Sequence, residues 1–198
     1  MRNLTRTVTL IVVVLCTMAA TLPNHNTANN TNTNPRSAIY KQVKGHVAFT
    51  SDAPLELIKA ETDQVQSVID SEKQTFAFAI PIASFQGFNN PLQREHFNEN
   101  YMETEAFPKA TFSGKIIERV DFATNKTYKV RAKGTLNIHG VETERVIDAQ
   151  IEVHGTSLHI KSTFSVPLAD HDIKIPKIVN QKIATEIQVV VKAELIKQ

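Results

Sequence analysis

From about residue 38 onward, apolar side chains recur at every second position, and this period constrains the chain more than any other feature. Val43, Val47 and Phe49 share one parity, while Lys44, His46 and Thr50 take the other. Phe76, Phe78, Ile80 and Ile82 repeat the pattern, followed by Phe112 and Ile116. Tyr128, Val130, Leu136 and Ile138 alternate with Lys129, Arg131, Lys133 and Asn137. Ile147, Ile151 and Val153 form a further row, as do Leu158, Ile160, Phe164 and Val166, and finally Ile183, Ile187, Val189, Val191 and Leu195. Successive side chains of a strand point to opposite faces, so each segment reads as a strand with one buried and one wet face. Parallel strands would read as continuous apolar runs, so the sheet is predicted to be antiparallel. His139-Gly140 and His154-Gly155 separate neighbouring rows by the spacing of tight hairpins. Seven or eight such strands, with no second set of helices to cover them, must bury one face against itself. A closed barrel or a sandwich does so, and a barrel also removes exposed edges.

One segment departs from the period. Asn89-Asn90-Pro91 offers a polar cap and a proline at the first helical position, with Gln93 at the third. Leu92, Phe97, Tyr101 and Met102 give an imperfect apolar face, so a short helix over 91–102 is predicted within a long connection.

The N-terminal stretch has a different character. Arg2 and Arg6 precede an apolar run over 10–15, then Met18, Ala19 and Ala20, the order of an export signal over 1–20. The run is too short for a span of about 20 residues. Cleavage would send the protein to the periplasm or outside the cell. Lipid attachment at Cys16 is an alternative, disfavoured because Leu15 is not small, and an uncleaved anchor is another. Residues 21–37, rich in Asn and Thr, lack the apolar side chains to offset ordering and read as a disordered spacer. The folded domain is then 38–198.

Lys and Arg number 22 against 20 for Asp and Glu, and Arg2 and Arg6 account for the difference. No basic run remains, so nucleic acid is not a predicted partner. Cys16 is the single cysteine, and without it disulfides, thiolate nucleophiles and Cys–metal sites are excluded. Nucleophile-elbow, zinc-protease, dinucleotide, P-loop and EF-hand spacings are all missing. The densest polar cluster is Arg94-Glu95-His96-Phe97-Asn98-Glu99. His96 beside Glu99 would suit a metal, but one nitrogen ligand is few, and a solvated helical face is the preferred reading. Asp170-His171-Asp172 reads as a turn, because three adjacent residues in an extended loop cannot all face one ion. No metal, cofactor or catalytic residue is predicted. Gly114, Ala132, Gly134, Ala149, Ser162, Thr185 and Ala193 share the parity of the large apolar residues. They either fill a taper or leave space for a ligand.

The run from Asn90 through Glu103, then Phe107-Pro108-Lys109-Ala110-Thr111-Phe112, resembles the YceI-like family. So do Gly134-Thr135-Leu136-Asn137-Ile138-His139-Gly140-Val141 and Phe164-Ser165-Val166 with Leu168-Ala169-Asp170-His171-Asp172-Ile173 and Pro176. The resemblance implies an eight-stranded antiparallel barrel of extended lipocalin-like fold, exported, with no catalytic residues and a long polyisoprenoid chain as ligand. This chain departs from the family at 51–69, which is shorter and more polar than the usual Gly-rich stretch. The residues expected to line a lipid cavity are Phe76, Phe78, Phe88, Phe97, Phe112, Leu136, Phe164 and Ile187. Asn89, Asn90 and His96 would lie where a headgroup could meet them. Two other classes stay open: a packed, ligand-free barrel serving structure or protein interaction, and an enzyme using His96 or His171 as a base.

Overall fold

The computed structural model describes residues 38–198. The export signal, Cys16 and the spacer lie outside the described residues. Among the described residues there are nine strands: β1 (Ile39–Ala53), β2 (Glu56–Thr62), β3 (Gln66–Asp70), β4 (Thr75–Pro81), β5 (Lys109–Ile116), β6 (Thr127–Ile138), β7 (Val141–His154), β8 (Ser157–Pro167) and β9 (Glu186–Lys197). All pairings are antiparallel, and β1 pairs with β9 to close the sheet into a barrel. Residues 47–53 of β1 pair with β2, and 39–41 pair with β3 along the same edge. β2 and β3 therefore share one position, interrupted at 63–65, and nine strands fill the eight positions of the predicted barrel.

The interruption has a consequence for access. β3 pairs fully with β4, whereas β2 reaches its next neighbour only through a bridge between Glu61 and Gln86. Beside β2 the wall is completed by an irregular connection rather than by a strand. That connection holds a 3-10 turn (Ile82–Ser84), helix α1 (Pro91–His96) and a π turn (Phe97–Tyr101). Thr62 and Ser84 hydroxyls lie 2.7 Å apart, and the Ser84 hydroxyl donates to the Pro81 carbonyl at 2.6 Å, tying the first turn to β2.

The hairpins form where the sequence placed them. His139 and Gly140 both have positive φ, 53° and 74°, as a two-residue I′ turn requires. The β7–β8 turn has positive φ only at Gly155, at 56°, the II′ pattern.

Four local expectations are corrected. Val43 is not inward: a bulge between Gln42 and Lys44 shifts the register, leaving Val43 exposed while Tyr40 and Val47 on opposite parities are both buried. Ile82 is buried but opens the 3-10 turn, because β4 ends at Pro81, which has no N–H for the ladder. The helix over 91–102 is α-helical only to His96 and then widens into the π turn, with Met102 N donating to Phe97 O. Leu92, Phe97 and Met102 are spaced by five, which explains the imperfect apolar face. Gly114 and Gly134 face each other across β5 and β6. A Cβ on Gly114 would lie 2.1 Å from the Lys133 carbonyl oxygen, so these glycines permit close strand approach and do not provide cavity space.

Candidate functional site

The barrel holds a cavity of about 520 Å³. This is more than three times an engineered apolar cavity of about 150 Å³ that stays dry and binds benzene. Its floor is made by Ile69, Phe76, Ile116, Val130, Ile151 and Ile160, which belong at the same time to the packed core beneath. Its walls carry Phe78, Phe112, Leu136, Phe164, Ile187 and Val189. Strand alternation places these side chains, since each strand sends one parity inward.

The connection between β4 and β5 builds the mouth. Asn90 caps α1, its side chain accepting from Gln93 N at 2.9 Å, while Gln93 Oε1 accepts from Asn89 N at 3.0 Å. Gln93 Nε2 also donates to Glu56 Oε1 at 2.9 Å, so the cap is fastened to the free side of β2. The π turn then projects Phe97 into an aromatic cluster centred on Phe49. Ring centroids stand 5.2 Å from Phe49 to Phe85, 5.4 Å to Phe97 and 6.0 Å to Phe88. Such contacts add about 0.5–1.5 kcal/mol beyond burial.

All eight sequence-selected residues, Phe76, Phe78, Phe88, Phe97, Phe112, Leu136, Phe164 and Ile187, line this one cavity. Asn90 and His96 lie at its mouth, whereas the Asn89 side chain is turned to the Leu57 carbonyl, to which it donates at 3.1 Å. Sequence reasoning missed Phe49 as a site residue, although its parity with Val47 was the available signal. It also missed the loop that brings Val179, Lys182 and Ile183 to the mouth, having assigned Ile183 to the last strand. The Ser51 hydroxyl holds that loop by accepting from Ala184 N at 2.9 Å.

Charge is confined to the rim. Apart from Tyr101, whose phenol burial pushes above its ordinary pKa, the ionisable lining residues are Glu56, His96 and Lys182. His171 is fully buried outside the lining, in a 3-10 turn (Leu168–His171), and Asp172 follows with φ 55°. The segment is thus a turn. Among the described residues, no three His, Cys, Asp or Glu side chains converge as metal ligands. The arrangement can enclose an apolar body and meet a polar end at the mouth.

Comparison with known proteins agrees with this geometry. A polyisoprenoid-binding domain from Saccharophagus degradans, implicated in plant cell wall breakdown, superposes with a TM-score of 0.68 at 16% identity, over 80% of this chain and 98% of that one. BcnA of Burkholderia cenocepacia gives 0.62 at 15% identity, over 76% and 95%. A YceI protein of Campylobacter jejuni gives 0.54 at 19% identity, over 70% and 84%. These likenesses establish a common fold. No curated protein sequence matches the chain. The model of the YceI-like domain matches residues 23–195, and the chain therefore belongs to the YceI-like family.

Proposed function

We propose that the protein is a non-catalytic carrier of a long-chain amphiphilic lipid of the isoprenoid class, working in the cell envelope after export. The observation that carries the reading is the cavity itself, its floor and walls apolar but for Thr111 and Ser162, with its charged groups at the mouth. Each methylene moved from water to such an interior gains about 0.8 kcal/mol, so a five-carbon isoprene unit gains on the order of 4 kcal/mol before its ordering cost. The volume lies within the usual range of about 300–1,000 Å³ for small-molecule sites. The Saccharophagus degradans domain, whose name records polyisoprenoid binding, supports the same ligand class. The basic, apolar and small-residue order of 1–20 supports export, and intact mass of the secreted form checks it. A species keeping Met1, or beginning at an acylated Cys16, would contradict release as a soluble, cysteine-free protein.

Organic extraction of protein purified without detergent, followed by mass spectrometry, tests the carrier reading. A stoichiometric lipid with a long apolar tail is the expected result. Protein that is empty, and that also fails to take up an added isoprenoid quinone, would overturn it in favour of a ligand-free barrel.

A further inference from the structure

The cavity is closed at one end. Ile69, Phe76, Ile116, Val130, Ile151 and Ile160 form its floor and are at the same time part of the packed core. Tyr40, Val120, Phe122, Leu158 and Leu195 complete that core, and the two leucines are 0% exposed. A layer packed in this way leaves no passage for a hydrocarbon chain. An apolar tail therefore enters and leaves at the mouth, and whatever the cavity does not hold stays outside it. The limit is one of volume, so it applies equally to an extended and to a folded tail.

An apolar cavity of about 150 Å³ takes up the six carbons of benzene, about 25 Å³ for each carbon. At that density the 520 Å³ of this cavity holds about twenty carbons, which is about four isoprene units. A tail drawn out of a bilayer exchanges one apolar surrounding for another as far as it fits. Each methylene that does not fit passes from the bilayer into water and lowers uptake about fourfold. One unhoused isoprene unit thus lowers it by more than about tenfold even if part of the unit lies against the protein surface.

We propose that the cavity selects its ligand by tail length, taking isoprenoid tails of up to about four units and rejecting longer ones, with Phe76 setting the floor. The inference rests on the carrier reading and narrows its ligand class. The Phe76 ring stands 4.9 Å from that of Phe112 and 6.3 Å from that of Phe78. Its partner on β5 is Gly114, which has no side chain to move into the space if the ring is removed. Phe76→Ala deletes six carbons and should open about 150 Å³, room for about one more unit. Ala132 and Ala149 also line the cavity, half-buried against the core at its floor. Ala132→Leu with Ala149→Leu adds six carbons there and should shorten the tail that fits by about one unit.

The full chain, stripped of lipid, is incubated with phosphatidylcholine vesicles holding equal amounts of prenols of three, four, five and nine isoprene units. The protein is then separated from the vesicles by gel filtration and extracted for mass spectrometry. The expected profile contains three- and four-unit prenols, a drop of more than about tenfold at five units, and no nine-unit prenol. Phe76→Ala should move the drop beyond five units, and the leucine pair should move it to between three and four. If Phe76→Ala fails to fold, the wild-type profile and the leucine pair decide the matter. Equal uptake of four- and nine-unit prenols, or a drop that stays at five units in the folded variants, would overturn selection by length and leave the carrier standing. Protein that takes up no prenol of any length would overturn the carrier and the length limit with it.

Discussion

The two ends of the barrel are built from the same strands and closed in different ways. At one end the connection over 117–126 folds inward, and Val120 and Phe122 enter the core beside Tyr40, Leu158 and Leu195. Gln74 fixes it with a pair of bonds, its Oε1 accepting from Val120 N and its Nε2 donating to Val120 O, each at 3.2 Å. The Tyr40 and Phe122 rings lie 5.7 Å apart. At the other end, the connection between β4 and β5 also inserts apolar side chains, Ile82, Phe85 and Met102, against Val47, Ala60 and Ile173. There no strand continues the wall beside β2, α1 lies on the rim, and the space below is not filled. An inward apolar row makes a core only where an adjoining segment supplies atoms to fill it. Where the segment spans the opening without filling it, the same row lines a cavity.

Paired truncations break this comparison most directly. Leu158 is 0% exposed within the packed end, and Leu136 is 5% exposed but faces the cavity. Leu158→Ala is expected to cost near the top of the range of about 2–5 kcal/mol, because it removes contacts on all sides and leaves a new void. Leu136→Ala should fall near the bottom of that range, since one side of Leu136 already lacks packed neighbours. Urea denaturation of both variants, stripped of lipid, checks the difference. Equal losses would mean that the cavity end is packed as tightly as the other.

Much of this contrast could be read in the sequence, and the unread part has physical causes. β6, β7 and β8 are joined by two-residue turns, so their alternation fixed strand, face and register together. Val43 misled because a bulge depends on the pairing partner and leaves no trace in local periodicity. The lining rows of β4 to β9 were legible, because parity alone sends Phe76, Phe112, Leu136 and Phe164 inward. The mouth was less so. The π turn at Phe97 signals itself only through a five-residue spacing, and the loop carrying Val179 and Lys182 has no regular period. Gly114 and Gly134 were placed on the correct face, but whether an inward glycine leaves room or allows contact depends on the strand opposite. The register puts the two glycines opposite each other and decides for contact.

Acid should sharpen the comparison by loosening the mouth first. His171 lies at that end, with Nδ1 3.3 Å from the Val141 carbonyl, so Nδ1 carries the proton. Its Nε2 is buried without a partner among the described residues. Burial pushes the imidazole pKa below its ordinary value; the Val141 backbone, Asp170 and the Ile138 backbone oppose the shift, and Arg145 adds to it. The fold thus favours the neutral ring. Above about pH 6.5 both folded and unfolded states are neutral, and this contribution to stability is complete. As pH falls through that value the unfolded chain takes up the proton first, so stability declines until the lowered folded pKa is reached. One proton gives a slope of at most about 1.4 kcal/mol per pH unit. His171→Gln, neutral throughout, should flatten the decline in urea midpoints between about pH 7 and 5. An unchanged slope would remove His171 as its source.

The smallest expected effect separates the two ends by dynamics. Helix α1 has only six residues, too few to persist without its cap and its tertiary contacts. Asn90→Ala removes the bond to Gln93 N and loosens the Gln93 link to Glu56, a loss of about 1 kcal/mol by the usual worth of such caps. Most of that loss should fall on local opening of the connection, since the strands beneath it keep their ladders. Amides over 85–101 should then exchange about fivefold faster, while those of Tyr40 and Leu158 keep their wild-type rates. Because the same connection spans the cavity mouth, the carrier proposal expects release of lipid to accelerate with the amides. Exchange that rises equally at both ends would show the barrel opening as one unit, and the cap would then have no separate part in admitting the ligand.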